Sequence, residues 1–120
     1  MAFNFKLEKV LDYRKQLEEQ AMQALAEARQ AEEKEKERLA GLRLELAAQR
    51  ISLNASIGDA AERWLVSGYI FALTDDIHTA ERVLEILAEE ISRRQAALVQ
   101  KAQDRQLLDK LKEKQAQRHA

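Results

Sequence analysis

His78 has the strongest claim to chemistry in this 120-residue chain. Asp75 lies three positions before it and Glu81 three after, a spacing that on a helix puts two carboxylates beside an imidazole along one face. Such a face could approach a divalent cation. One imidazole and two carboxylates without a pocket do not make a site, and His78 is expected to stand in solvent. The other histidine, His119, is the penultimate residue, where a helix end is expected to fray. There is no cysteine, so thiolate ligands, disulfides and a thiol nucleophile are excluded. Gly41, Gly58 and Gly68 are isolated, and none leads into the Gly-Lys-Ser/Thr of a phosphate-cradling loop. No serine stands in the strand-turn-helix setting of a hydrolase nucleophile. The sequence therefore predicts no catalytic residue, no metal and no cofactor, and no enzymatic activity.

What remains is the chemistry of contact. The net charge of −1 conceals an uneven distribution. Residues 1–57 carry ten basic and ten acidic side chains, residues 58–92 two against eight, and residues 93–120 eight against three. A basic C-terminal stretch complements a helix dipole and solvates a face; the functional alternative is that Lys101, Arg105, Lys110, Lys112 and Lys114 dock on an acidic partner. Nucleic acid is not an expected partner, because the stretch has no aromatic residue for stacking and its cations alternate with Asp104, Asp109 and Glu113. A second contact candidate is apolar. Tyr69, Ile70, Phe71, Leu73 and Ile77 exceed what one helical stripe can bury, and Tyr69 and Phe71 point away from the stripe. Leu42, Leu44 and Leu46 likewise cannot all face one partner helix. Trp64 is expected to pack over the nearby turn.

The elements that position these residues are helical. From Ile70 through Leu73, Ile77, Ala80, Leu84, Leu87 and Ile91 to Leu98, with Arg94 the first polar break, apolar residues recur at alternating spacings of three and four. That 3.5-residue repeat is the seam of a coiled coil. There is no proline, and the aromatic content is only three Phe, two Tyr and one Trp, too little for a thick globular core. A first helix is predicted over about 5–57. Its stripe runs through Leu7, Leu11, Leu17, Ala21, Leu25 and Ala28, weakens in the charged run 32–37, and resumes at Leu39, Leu42, Leu46 and Leu53. The alanine stretch 21–31 buries little area and is expected to be softer. Gly58-Asp59 reads as a stop followed by a cap, with Glu62 completing a capping-box-like pair, and Ser67-Gly68 as a second weak point. The break and connecting segment span about 58–68, either unsteady helix or loop, and a second helix covers about 69–117. Two arms of roughly 50 residues, each reaching about 75 Å at ~1.5 Å per residue, make the expected fold all-α: one domain, a long antiparallel two-helix coiled-coil hairpin. In it residues 93–117 lie beside the first 30, and Leu42 and Leu46 lie opposite 70–80. No apolar stretch approaches the ~20 residues of a membrane span, and the chain turns polar at Asn4 and Lys6 before a signal core forms. A cytoplasmic protein is expected.

These residues also carry a resemblance. The opening Phe3-x-Phe5-x-Leu7-x-x-Val10-Leu11-x-x-Arg14, running into Glu18-x-x-Ala21-x-x-x-Leu25-Ala26-x-Ala28, resembles the start of the flagellar export protein FliJ family. So do Tyr69-Ile70-x-x-Leu73-x-x-x-Ile77 and the ending Leu108-Asp109-Lys110-Leu111-Lys112-Glu113-Lys114. The resemblance implies an antiparallel coiled coil peripheral at the cytoplasmic face of the flagellar base. It implies a stalk-like part that joins the hexameric export ATPase to the membrane export gate and assists export chaperones. By position, Tyr69, Leu73 and Ile77 match the family's aromatic-x3-Leu-x3-Ile pattern. Tyr69 and Leu73 would then meet the gate, with Phe71 beside them and Leu42 and Leu46 on the opposing helix. Lys101, Arg105, Lys110, Lys112 and Lys114 sit where the family's topology puts the ATPase-inserted tip. The alternative reading is a generic coiled-coil scaffold that homodimerises, which sedimentation equilibrium would separate from a monomeric hairpin.

Overall fold

The computed structural model describes residues 3–55 and 59–119 and contains two helices, α1 (Glu8–Ala55) and α2 (Ala60–His119). Both are long because nothing in either run breaks them. Strong helix formers dominate and the i,i+4 pairs Glu32–Lys36, Glu90–Arg94 and Arg105–Asp109 brace exposed turns. Among the described residues there is no strand.

Each start has a local cause. Phe5 is buried just ahead of α1, and its carbonyl accepts the Glu8 amide at 3.1 Å, so the segment predicted to open the first helix instead forms a turn that plugs its end. At α2, Asp59 Oδ1 accepts the amides of Ala61 at 3.1 Å and Glu62 at 3.5 Å, the work of an N-cap, worth about 1 kcal/mol. From that cap α2 runs straight through Ser67 and Gly68. Residues 60–68 are thus helical, and the second helix begins at Ala60 rather than near 69. The physical reason is magnitude: a glycine inside a helix costs only about 1 kcal/mol against alanine, which the helix on either side absorbs. Gly58, where the stop was expected, and Ser56 and Ile57 at the end of the predicted first helix lie outside the described residues.

The chain divides into two compact units, each an antiparallel pairing of an α1 stretch with an α2 stretch. In the unit of residues 30–89, Leu39 and Leu46 pack with Leu73, Ile77 and Ala80, and Leu42, Ile70 and Leu84 close around them. Leu42 and Leu46 do lie opposite residues 70–80. Burying each large aliphatic side chain contributes roughly 1.5–3 kcal/mol, so this seam is held by apolar packing.

In the unit of residues 1–29 and 90–120, Phe5, Leu11, Leu25 and Ala28 are buried. Half-buried Leu17, Ile91, Leu98 and Leu108 add to them, and charged side chains fill the seam positions between. Arg14 meets Asp104 at 3.3 Å, Arg105 meets Glu18 at 3.2 Å and Lys112 meets Glu8 at 2.8 Å. Arg94, the polar break in the sequence pattern, is half-buried there. Its Nη1 donates to the Ala24 carbonyl at 2.6 Å and its Nε to Glu90 at 2.8 Å. The alanines at 21, 24 and 28 leave room for that guanidinium. His119, expected to fray, is helical, with the Phe3 ring 5.7 Å from its own at 45°, within the range of a favourable tilted pair.

Candidate partner-binding surfaces

The helical repeat decides which apolar residues near the start of α2 face inward. Leu73 is 4% exposed and Leu46 8%, both in the core of their unit, and Leu42 is half-buried against it. Of the five apolar candidates, these three hold the helices together. Tyr69 and Phe71 do not. Phe71 is 78% exposed, and Tyr69, 45% exposed, leans toward α1, where its hydroxyl donates to Glu45 Oε1 at 3.1 Å. That hydrogen bond to a carboxylate, with some desolvation, raises the Tyr69 pKa above the ordinary phenol value.

Trp64 corrects the sequence reading. Instead of packing over a turn it is 76% exposed. It precedes Phe71 by seven residues, two helical turns, so the two rings share one stripe of α2. Leu44 and Ile51, also seven apart and both exposed, form a comparable stripe on α1. The sequence reading missed these two stripes, and the seven-residue spacing was the signal that could have found them. The surface around them is acidic: residues 30–89 hold seven basic against twelve acidic side chains.

The basic candidates separate into two groups. Arg105 is committed to Asp109 at 2.8 Å and Glu18, which together hold its charge more firmly than usual, and Lys112 is committed to Glu8. Lys101, Lys110 and Lys114 make no ion pair among the described residues, and Lys110 and Lys114 are exposed. Exposed apolar residues lie in the same unit: Val10 and Tyr13 on α1, Leu107 and Leu111 on α2.

At His78 the side chain is exposed beside a shallow depression lined by Asp75, Thr79 and Arg82, while Glu81 turns toward Arg43 at 3.9 Å. Among the described residues no group of three or more His, Asp or Glu is placed to hold a metal ion. No helix of the described residues is long and apolar enough to cross a membrane.

No curated protein and no solved structure matches the chain. The family model for the flagellar FliJ protein matches residues 3–120, nearly the full length. The antiparallel helix pairing within each unit agrees with what the resemblance implied, and the match extends from the opening Phe-x-Phe-x-Leu motif through both seams. The chain belongs to the flagellar FliJ protein family, and with it to the components of the flagellar protein export apparatus.

Proposed function

We propose that this protein is a non-catalytic stalk that couples the export ATPase ring to the membrane export gate from the cytoplasmic side and assists chaperone-bound substrates on their way. Family membership across residues 3–120 supports the apparatus. The observation that carries the coupling role is the contrast between the two units. One is an acidic unit with exposed rings at Trp64, Tyr69 and Phe71. The other has a net excess of basic residues, and its Lys101, Lys110 and Lys114 make no ion pair among the described residues. A coupling part needs two such surfaces of different chemistry, each chosen by a different partner. In this reading the aromatic surface meets the gate and the three lysines meet acidic residues of the ATPase ring, with Arg105 and Lys112 shaping the helix pair behind them. Leu42, Leu46 and Leu73 support the gate surface from beneath.

The test is ATP hydrolysis by the export ATPase with and without stoichiometric protein, together with co-migration on a sizing column. Stimulation that falls when Lys101, Lys110 and Lys114 are replaced by Gln is expected. The absence of both stimulation and co-migration would remove the coupling role.

A further inference from the structure

We propose that the unit formed by residues 8–29 and 90–119 is an electrostatic clasp. Its two helical stretches part when salt or an acidic polymer competes for the cations of α2, while the unit of residues 30–89 stays closed.

The seam positions of α2 in this unit, at alternating spacings of three and four, are Ile91, Arg94, Leu98, Lys101, Arg105, Leu108 and Lys112. Four of these seven are cations. A seam of that composition closes if α1 answers with acceptors, and it answers three of the four, leaving Lys101 without an ion pair among the described residues. Glu8 takes Lys112, Glu18 takes Arg105, and the Ala24 carbonyl takes Arg94. Arg14 and Asp104 form the same bond in reverse. Buried Phe5, Leu11 and Leu25 hold the unit at separate points, while Ala21, Ala24 and Ala28 are small, so little apolar area backs the polar bonds between those points.

None of the ion pairs is sealed. The paired side chains of Glu8 and Lys112 are 43% and 38% exposed, and those of Arg14 and Asp104 38% and 24%. Mobile ions and competing carboxylates can reach them. Exposed pairs weaken as the Debye length falls from about 10 Å at 0.1 M to about 3 Å at 1 M salt. The other unit offers salt no comparable target. Its core is Leu39, Leu46, Leu73, Ile77 and Ala80, and its cross-helix ion pair Arg43–Glu81 is a loose 3.9 Å. Opening leaves each stretch its own i,i+4 pairs, Glu90–Arg94 and Arg105–Asp109, so the stretches separate as helices. The clasp thus gives Arg105 and Lys112 two mutually exclusive sets of acidic partners, one within the chain and one outside it.

Because the chain has no cysteine, spin labels can be placed at will. Gln16→Cys with Gln103→Cys reports on the clasp, and Ala40→Cys with Thr79→Cys on the apolar unit. All four positions are exposed. Raising NaCl from 0.1 to 1 M should increase the long-distance fraction of the first pair on the order of tenfold and leave the second unchanged. Poly-glutamate added at 0.1 M NaCl should open the first pair alone, where poly-lysine of equal length opens it less. Lys112→Glu should open the clasp at low salt, and adding Glu8→Lys should close it again, which a merely unfolded variant would not do. Equal salt responses of the two pairs, no response of the first, no effect of poly-glutamate, or failure of the double reversal to re-close would each overturn the proposal. The measurement uses the chain alone, so it stands apart from the ATPase coupling test: either can fail without the other.

Discussion

Leu73 and Phe71 are two residues apart on α2 and have opposite surroundings, so a pair of alanine substitutions tests the assignment of core and surface directly. Leu73 is 4% exposed, within a cluster that includes Leu39, Leu46 and Ile77. Leu73→Ala removes three carbon groups at about 0.8 kcal/mol each and leaves a gap between the helices. A two-helix seam is open on its flanks and can partly settle into that gap, which holds the total near the lower part of the usual 2–5 kcal/mol range, about 3 kcal/mol. For a chain of this length that corresponds to a melting point lower by roughly 10 °C. Phe71→Ala removes a ring already in water and substitutes a better helix former, so its effect should stay within about 0.5 kcal/mol. Urea denaturation followed by far-UV circular dichroism, with thermal melts alongside, measures both. The reasoning fails if Leu73→Ala costs less than about 1 kcal/mol, or if Phe71→Ala costs as much as Leu73→Ala. The same pair interprets any binding experiment. Lost affinity in Phe71→Ala at an unchanged melting point identifies a contact, whereas lost affinity in Leu73→Ala is first a consequence of instability.

Two further outcomes follow from local geometry. Gly68 lies inside α2, and a Cβ added there would meet nothing within 4 Å. Gly68→Ala should therefore stabilise the chain by about 0.5–1 kcal/mol, seen as a higher urea midpoint at unchanged slope; a loss of stability would mean the helix does not run through this position. Hydrogen bonds from Arg93 and Arg94 hold the Glu90 carboxyl below its ordinary value of 4.5. A depressed carboxyl stabilises the fold above its unfolded pKa, and that contribution is lost as pH falls through the folded value. Stability should thus decline on acidification below about pH 4.5, and Glu90→Gln should flatten that part of the pH profile.

The seam was legible in the sequence because its signal is local. Every residue from Ile70 through Leu98 that fits the three-and-four spacing is buried or half-buried, Arg94 included. Arg94 itself was readable only as an interruption. Its partner is a backbone carbonyl 70 residues away, and alanine's side chain carries no mark of accepting a hydrogen bond. Residues 60–68, open in the sequence between unsteady helix and loop, were undecided for a different reason. Serine and glycine lower helix propensity by fractions of a kcal/mol to about 1 kcal/mol, which punctuates a sequence visibly without being enough to end a capped helix. Trp64 illustrates a third limit. Its size predicts burial, but a two-helix seam has only one inward stripe, and residue 64 is off it. The basic stretch was seen as one surface, although Arg105 and Lys112 are spent on α1 and Lys101, Lys110 and Lys114 are not; pairing between helices sets that division, and composition does not carry it.

The strict 3.5-residue repeat also limits how such a chain can change length. Removing one residue from a helix turns everything beyond the deletion by about 100°, which would carry Leu73 and Ile77 out of the seam and Phe71 toward it. Seven residues return the stripe almost to its starting angle, but they also slide one helix past the other by two turns, pulling Arg94 from Ala24 and Arg105 from Glu18. Only a matched loss of seven on both facing stretches preserves the stripe and the partnerships together. Lengths of relatives built on this plan should step in paired heptads.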